Sequence, residues 1–380
     1  MTPSPNTDWV LLLNAGSTTL KLAGWTLQGA VLWEQRLEGG AEQLAAALPP
    51  VLAALPHSPV AVLQRIVHAG AVQEQPALLD TATRARIAHW APLAPLHNPL
   101  ALTLADVVHA CWPAAPQWAV FDSGLYADLP AMAAHYALPD TLSPRWPLRR
   151  YGFHGLAHRS QWRQMQPADG RAGPRRLITL QLGGGCSLSA WKDDRVIDTS
   201  MGFTPLEGLV MATRSGTLDP GILLHLLQQE GMRVEALQAL LLQHSGLAGM
   251  APGAGDMRAL LADASPAAQQ ALAHYVWQIR KAIGAAVAVL GGLDALSIGG
   301  GVGEHQSEVR ARILEDMTVF GIALDATRNA RAQGRCALEV PGSAVSLTLT
   351  PVNEMAEMFR QFADMRGCAS PTTSQENSHA

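Results

Sequence analysis

The sequence predicts an α/β protein of two domains, and three observations carry that reading. The chain is 380 residues long, more than one small core can fill. Hydrophobic residues make up 48% and charged residues 15%, enough apolar material for a sizeable interior and too little charge for global disorder. A strand–turn–strand–strand sketch near the N-terminus recurs in the second half. Gly-rich hairpins are common, so the recurrence alone leaves duplication and coincidence both open.

The first sketch begins at Trp9-Val10-Leu11-Leu12-Leu13, an apolar run without helical period. It stops at the turn Asn14-Ala15-Gly16-Ser17-Thr18-Thr19, resumes as a strand over 20–25, and adds a third strand over 31–33. The second sketch runs 177–182, then Gly183-Gly184-Gly185, then strands over 187–191 and 195–198. Between them, 41–55 and 100–110 read as Ala/Leu-rich helices, and 66–67 and 118–121 as strands. Further on, 221–230 and 267–290 read as helices, and the strand 295–298 ends in the glycine turn Gly299-Gly300-Gly301-Val302-Gly303. The Pro- and Arg-containing stretch 143–150 is the expected crossing between domains, and the polar tail 367–380 is expected to be disordered.

Several function classes are disfavoured. The net charge of −4, with no dense Lys/Arg run, argues against a nucleic-acid or anionic-membrane surface. Cys111, Cys186, Cys336 and Cys368 lie far apart without a CxxC pair, which argues against a disulfide framework or zinc site and points to a reducing cytoplasm. Residues 1–8 are polar and lack the basic start of a signal peptide. The membrane-like stretch 283–302 is Gly-rich and interrupted by Asp294, so it reads as a buried helix and strand.

Three turns at strand ends, 14–19, 183–187 and 299–304, combine Gly with Ser, Thr or Asn and could aim backbone N–H groups at phosphate. No GxxxxGK[ST] or GxGxxG string is present, which removes the P-loop and weakens dinucleotide binding. Arg65, Asp122, Arg214 and Glu354 fall near the ends of apolar segments, and His154 sits in Tyr151-Gly152-Phe153-His154-Gly155. Taken singly, the four charged residues read as surface or salt-bridged residues and His154 as a satisfied core histidine.

Four strings are more specific: Ala94-Pro95-Leu96-His97-Asn98-Pro99, Val120-Phe121-Asp122-Ser123, Arg149-Arg150-Tyr151-Gly152-Phe153-His154-Gly155, and Asp198-Thr199-Ser200-Met201-Gly202-Phe203-Thr204-Pro205-Leu206-Glu207-Gly208. With them the chain resembles the acetate kinase family, relatives of sugar kinases, actin and the heat-shock ATPases, over residues 10–360. The resemblance implies two duplicated ribonuclease-H-like (actin-like ATPase) domains with an active-site cleft between them. Their expected extents are 1–148 completed by 352–366, and 149–351 as the nucleotide-binding domain. It further implies a cytoplasmic, homodimeric enzyme that moves the γ-phosphate of ATP reversibly to acetate, giving acetyl phosphate and ADP.

By the same resemblance, Asn14, Asp122 and Glu354 place Mg²⁺, with Mn²⁺ as the alternative ion. Ser17, Thr19 and Lys21 approach the phosphates, and Gly183, Gly184 and Gly185 form a second phosphate turn. Arg65 and Arg214 match two active-site arginines, and His154 a phosphate-contacting histidine. Asp256, Met257 and Arg258 match a nucleoside-contacting segment, and Gly301 and Gly303 the turn beside adenosine. Val67, Leu96 and Pro205 line up with a pocket for the acyl methyl. Two departures stand out. The family's His-Leu-Gly-Asn-Gly is Gln181-Leu182-Gly183-Gly184-Gly185 here, and its Gly-Thr-Arg-Ser-Gly is Ala212-Thr213-Arg214-Ser215-Gly216. Competing readings are a propionate or other short-chain carboxylate kinase, an ATP-binding regulatory relative, and a plain ATPase of the same fold.

Overall fold

The computed structural model describes residues 7–16, 18–70, 74–143, 146–251, 253 and 255–367. Ser17, part of the crossing stretch (144–145) and the tail beyond Gly367 lie outside these residues. The chain divides into two compact units, Met1–Ala127 with Asn353–Ala380, and Asp128–Val352. The division precedes the stretch 143–150 in which the sequence places the crossing. The reason is local: the Arg150 N–H donates to Ala134 O, and His135 bridges Arg149, so this stretch folds onto what precedes it.

The first unit holds strands β1 (Trp9–Ala15), β2 (Thr19–Thr26), β3 (Val31–Glu38), β4 (Ala61–Ile66), β5 (Ala77–Leu78) and β6 (Gln117–Phe121), in the order β3-β2-β1-β4-β6-β5. The pairs β1/β2, β2/β3 and β5/β6 are antiparallel, and β1/β4 and β4/β6 are parallel. β1 is buried along its whole length because both faces of the sheet are covered. Side chains alternate, so Leu11, Leu13 and Ala15 share one face. There they pack with Leu44, Leu48 and Leu52, one stripe of helix Ala41–Ala53, and with Leu100, Leu104 and Val108 of helix Asn98–Cys111. On the opposite face Trp25, paired with Val10, meets Phe359 at 5.3 Å between ring centroids, and Trp118 meets Phe362 at 5.8 Å. Both phenylalanines belong to helix Glu354–Met365, so the same alternation turns Asn14 toward that helix.

The second unit holds β7 (Arg176–Leu182), β8 (Cys186–Lys192), β9 (Arg195–Thr199), β10 (Ala295–Gly299), β11 (Cys336–Ala337) and β12 (Ser346–Leu349), ordered β11-β12-β10-β7-β8-β9. Strand for strand this repeats the first sheet, with the same sense at every pairing. Even the irregularity repeats: the register slips at Gly24/Trp25 in β2 and at Ala190/Trp191 in β8. Coincidence does not reproduce order, sense and bulge together. The two units are duplicated α/β domains.

Several local expectations need correction. β1 continues through Asn14 and Ala15, because Lys21 and Leu20 of β2 pair with them. β3 reaches Glu38 as an exposed edge strand, polar enough to hide from hydrophobic patterning. Val67 lies just past β4 rather than within a strand. Residues 299–304 are not a turn: helix Gly300–His305 follows β10 directly. The membrane-like stretch, by contrast, is as expected the end of helix Pro266–Leu290 followed by buried β10. Ser265 Oγ accepts from Ala268 N at its start, and Gly291 closes it at φ +73°. Among the described residues no helix is long and apolar enough to cross a membrane.

Candidate active site

In the first unit four polar residues converge at the C-terminal ends of the central strands. Asn14 and Lys21 are direct ladder partners, so they share the face toward helix Glu354–Met365. Asn14 Nδ2 donates to Glu354 Oε2 at 2.6 Å. Arg65, at the end of β4, donates through Nη1 to Ala15 O at 3.1 Å and toward Asn14 Oδ1 at 3.4 Å, and through Nη2 to Asp122 Oδ2 at 2.9 Å. Asp122 follows β6, and its N–H is taken by Ile66 O. Asp122 is fully buried and the Arg65 side chain is 9% exposed. Burial would pull the Arg65 guanidinium down, but the carboxylates of Asp122 and Glu354 push it up, so it stays charged.

Two carboxylates against one guanidinium leave this cluster one negative charge in excess. Its candidate ligand atoms, Asn14 Oδ1 and the carboxylates of Asp122 and Glu354, are oxygens, the set a hard cation takes, with waters completing the shell. Arg65 Nε and Ser123 Oγ are buried without a hydrogen-bond partner, and each such atom costs about 1–3 kcal/mol unless a ligand satisfies it. Donor chemistry and orphaned atoms together fit Mg²⁺ or Mn²⁺ with an anion beside it. Among the described residues no group of three His, Cys, Asp or Glu forms a denser metal cage. Thr19 Oγ1 sits 3.1 Å from where a Cβ on Gly16 would stand, and Lys21 is exposed.

Asn98 links the segments that carry Val67 and Leu96. Its side chain accepts from His68 N at 3.2 Å and donates to His68 O at 2.6 Å and Ile87 O at 3.0 Å. This ties buried Val67 and half-buried Leu96 to one corner of the unit.

In the second unit His154 adopts φ +58° immediately before helix Gly155–Met165, a left-handed conformation that a non-glycine residue keeps only under constraint. His154, just before the helix, and His158, within its first turn, are four residues apart, and both rings reach Ser187 Oγ, each at 2.8 Å. His158 Nδ1 lies 2.8 Å from Thr179 Oγ1. The second glycine turn is closed by Gly183 N donating to Gly185 O at 2.9 Å. A Cβ on Gly185 would meet His154 Nε2 at 2.8 Å, and one on Gly183 would lie 3.9 Å from Gly301 N. The geometry therefore brings His154, Gly183, Gly185 and Gly301 together. Gln181 covers Gly300, leaving its buried Oε1 without a partner.

The string 198–208 is locked by a half-buried polar knot. Arg150 Nη2 pairs with Glu207 Oε1 at 2.9 Å, the Tyr136 hydroxyl donates to Glu207 Oε2, and Phe203 N donates to Tyr136 Oη at 2.9 Å. That knot presents Pro205, whose carbonyl accepts from Arg214 Nη1 at 3.2 Å. Asp256 and Arg258 are less distinctive: Asp256 caps helix Met257–Ala262 and pairs with Arg258 at 3.0 Å on the surface, with Met257 buried beneath.

Sequence reasoning passed over Ser123, His158, Thr179 and Glu304. Glu304 Oε1 accepts from Gly300 N at 3.0 Å and Val352 N at 3.1 Å, anchoring the glycine helix. Ser123 lay in the string 120–123, Glu304 in the segment 299–304 and His158 at four-residue spacing from His154, while Thr179 carried no signal.

The model of the acetokinase family matches residues 50–359. The chain is 39% identical over 317 residues to an acetate kinase of Streptomyces coelicolor, covering 82% of this chain and 76% of that protein. It is 42% identical over 308 residues to an acetate kinase of Clavibacter michiganensis, covering 80% and 78%. The crystal structure of Porphyromonas gingivalis acetate kinase matches with a TM-score of 0.82 at 30% identity, covering 95% of this chain and 99% of that one. A propionate kinase from Francisella tularensis matches with a TM-score of 0.84 at 29% identity, covering 93% and 98%.

Proposed function

The chain belongs to the acetokinase family, and from that premise we propose how its residues carry the reaction of an acetate kinase. The reaction is reversible transfer of the ATP γ-phosphoryl group to acetate, giving acetyl phosphate and ADP. A carboxylate with a pKa near that of Glu, about 4.3, is ionised at neutral pH and needs no general base. The obstacle is bringing two anions together, so positioning and positive charge supply the catalysis.

The buried cluster of Asn14, Arg65, Asp122 and Glu354 is the observation that carries this reading. Asn14, Asp122 and Glu354 would hold Mg²⁺, which supplies positive charge to phosphate oxygens when bound. Arg65 and Arg214 neutralise charge on the acceptor and the transferring group. His154 donates a hydrogen bond to an equatorial phosphate oxygen and takes no proton. Thr19 and Lys21, the backbone of Gly183, Gly184 and Gly185, and by resemblance Ser17, contact the phosphates. Asp256, Met257, Arg258, Gly301 and Gly303 receive the nucleoside. Val67, Leu96 and Pro205 receive the methyl.

Propionate as acceptor is the second reading, favoured by the likeness to the Francisella protein. We further propose a homodimer. Helix Pro220–Gln228 has the sequence PGILLHLLQ yet buries none of its residues, and Ile222, Leu224, Val234 and Trp277 are exposed. Apolar surface of that extent supports association with a second copy. The wide spacing of the cysteines supports a cytoplasmic setting.

Trapping acyl phosphate as hydroxamate across formate, acetate, propionate and butyrate tests the assignment. Acetate should give the highest rate, and EDTA should stop it. A leading rate with propionate would select the second reading, and ATP binding without acyl phosphate from any of the four would reject both.

A further inference from the structure

We infer that a one-way hydrogen-bond relay from Trp191 to His154 sets the tautomer of His154, so that the neutral imidazole presents Nε2–H toward the glycine turn. Thr179, His158 and Ser187 are positioning residues in this relay. The inference deepens the donor role proposed for His154 and rests on it.

Polarity follows from which groups can only give. An indole N–H is a donor and never an acceptor. Trp191 Nε1 donates to Thr179 Oγ1 at 2.9 Å. The Thr179 hydroxyl has one proton and two candidate acceptors, His158 Nδ1 at 2.8 Å and Ser189 O at 3.5 Å. The shorter bond takes it. Neutral His158, accepting at Nδ1, carries its proton on Nε2 and donates it to Ser187 Oγ at 2.8 Å. Ser187 then gives its own proton to His154 Nδ1 at 2.8 Å, which leaves Nε2–H on His154. Each hydroxyl and ring donates once along the line.

The reverse polarity is poorer at its first step. It sends the Thr179 proton to Ser189 O across 3.5 Å and ends with an acceptor lone pair on His154 Nε2, aimed where anions are expected. His158, Thr179 and Ser187 are fully buried and Trp191 is 1% exposed, so bulk water does not compete for the bonds among them, and half-buried His154 ends the line. In such surroundings aligned hydrogen bonds reinforce one another. The strands explain the alignment. Thr179 is the ladder partner of Ser189, while Ser187, Ser189 and Trp191 alternate onto one face of β8, the face that meets His158. Nε2 comes to rest against the backbone of Gly185, where a Cβ would stand 2.8 Å away.

The test is ring-nitrogen NMR on the full-length enzyme labelled with ¹⁵N-histidine, with His154→Gln used to assign its signals. Couplings between ring nitrogens and carbon-bound protons report which nitrogen is protonated. The wild type should show Nε2–H at both His154 and His158. Thr179→Val keeps the shape and removes the hydroxyl. It should mix the His154 tautomers and lower kcat by about ten- to a hundredfold, with KM for ATP held, and Thr179→Ser should restore both. Nδ1–H at His154 in the wild type overturns the relay, and that spectrum decides even if the valine variant does not fold. A folded Thr179→Val enzyme with unmixed Nε2–H and wild-type kcat also overturns it. Full kcat in His154→Ala would instead reject the donor role itself, a failure separate from that of the relay.

Discussion

Replacing Gly184 with Asn should raise kcat, and the structure gives reasons for choosing that glycine of the three. A Cβ on Gly185 would strike the His154 ring at 2.6 Å, while one on Gly183 would face Gln181 and Gly301 N. At Gly184 nothing lies within 4 Å, and its φ is not positive, so an L side chain fits without strain. Gly184 O is already held by Ala212 N at 3.1 Å, which keeps the loop in place. An amide reaching a charged phosphate gains about 1.5–3 kcal/mol. Freezing the side chain gives back roughly 1 kcal/mol. The remainder corresponds to roughly a two- to thirtyfold rise in kcat. Steady-state kcat with ATP and acetate, beside the ADP dissociation constant, is the assay. Gln181→His added to Gly184→Asn completes the family's turn, and Gly185→Ala, which collides with His154, should lose activity. A folded Gly184→Asn enzyme with unchanged or lower kcat, alone and with Gln181→His, would show that the turn already supplies its donor.

Three further outcomes are expected. Arg65→Ala and Arg214→Ala should each lower kcat by about 10³-fold or more. Arg65→Ala should also cost about 3–5 kcal/mol of stability in urea unfolding, because it removes the guanidinium paired with the buried Asp122 carboxylate, whereas Arg214→Ala should not. Acetate should lead propionate by about ten- to two-hundredfold, and Val67→Ala should narrow the gap; a wider gap would show that Val67 does not bound the acyl chain. Burial pushes the Cys186 thiol up to about 12, so a disulfide reagent at pH 8 should label exposed Cys111 in the native protein and Cys186 only after unfolding. Labelling of native Cys186 would contradict its packing.

What the sequence disclosed follows from how each element is covered. β1 and β7 are central strands, so they read as unbroken apolar runs and revealed the repeated hairpin. β12 is only four residues, Ser-Leu-Thr-Leu, and β3 is an exposed edge, so neither stood out as a strand of its full length. Helix Glu354–Met365 carries Met355, Met358, Phe359 and Phe362 at helical spacing, a legible pattern that went unread behind Pro351. The site was harder. Asn14 and Glu354 are 340 positions apart and meet only because strand alternation turns Asn14 toward a helix from the far end of the chain. Resemblance named those residues, and no spacing rule could have paired them. The relay through Thr179 and Ser187 was invisible for a different reason, since its meaning lies in the β7/β8 register and not in the residue types.

The central claim is direct phosphoryl transfer from ATP to an ionised carboxylate through the cluster of Asn14, Arg65, Asp122 and Glu354. Phosphorus NMR of purified enzyme with ATP, Mg²⁺ and acetate tests it most directly, run beside Asp122→Asn. The account predicts that acetyl phosphate and ADP appear in equal amounts without inorganic phosphate, that added acetyl phosphate and ADP run the reaction backward, and that Asp122→Asn is silent. Release of inorganic phosphate from ATP, with no acyl phosphate from any short carboxylate, would contradict it.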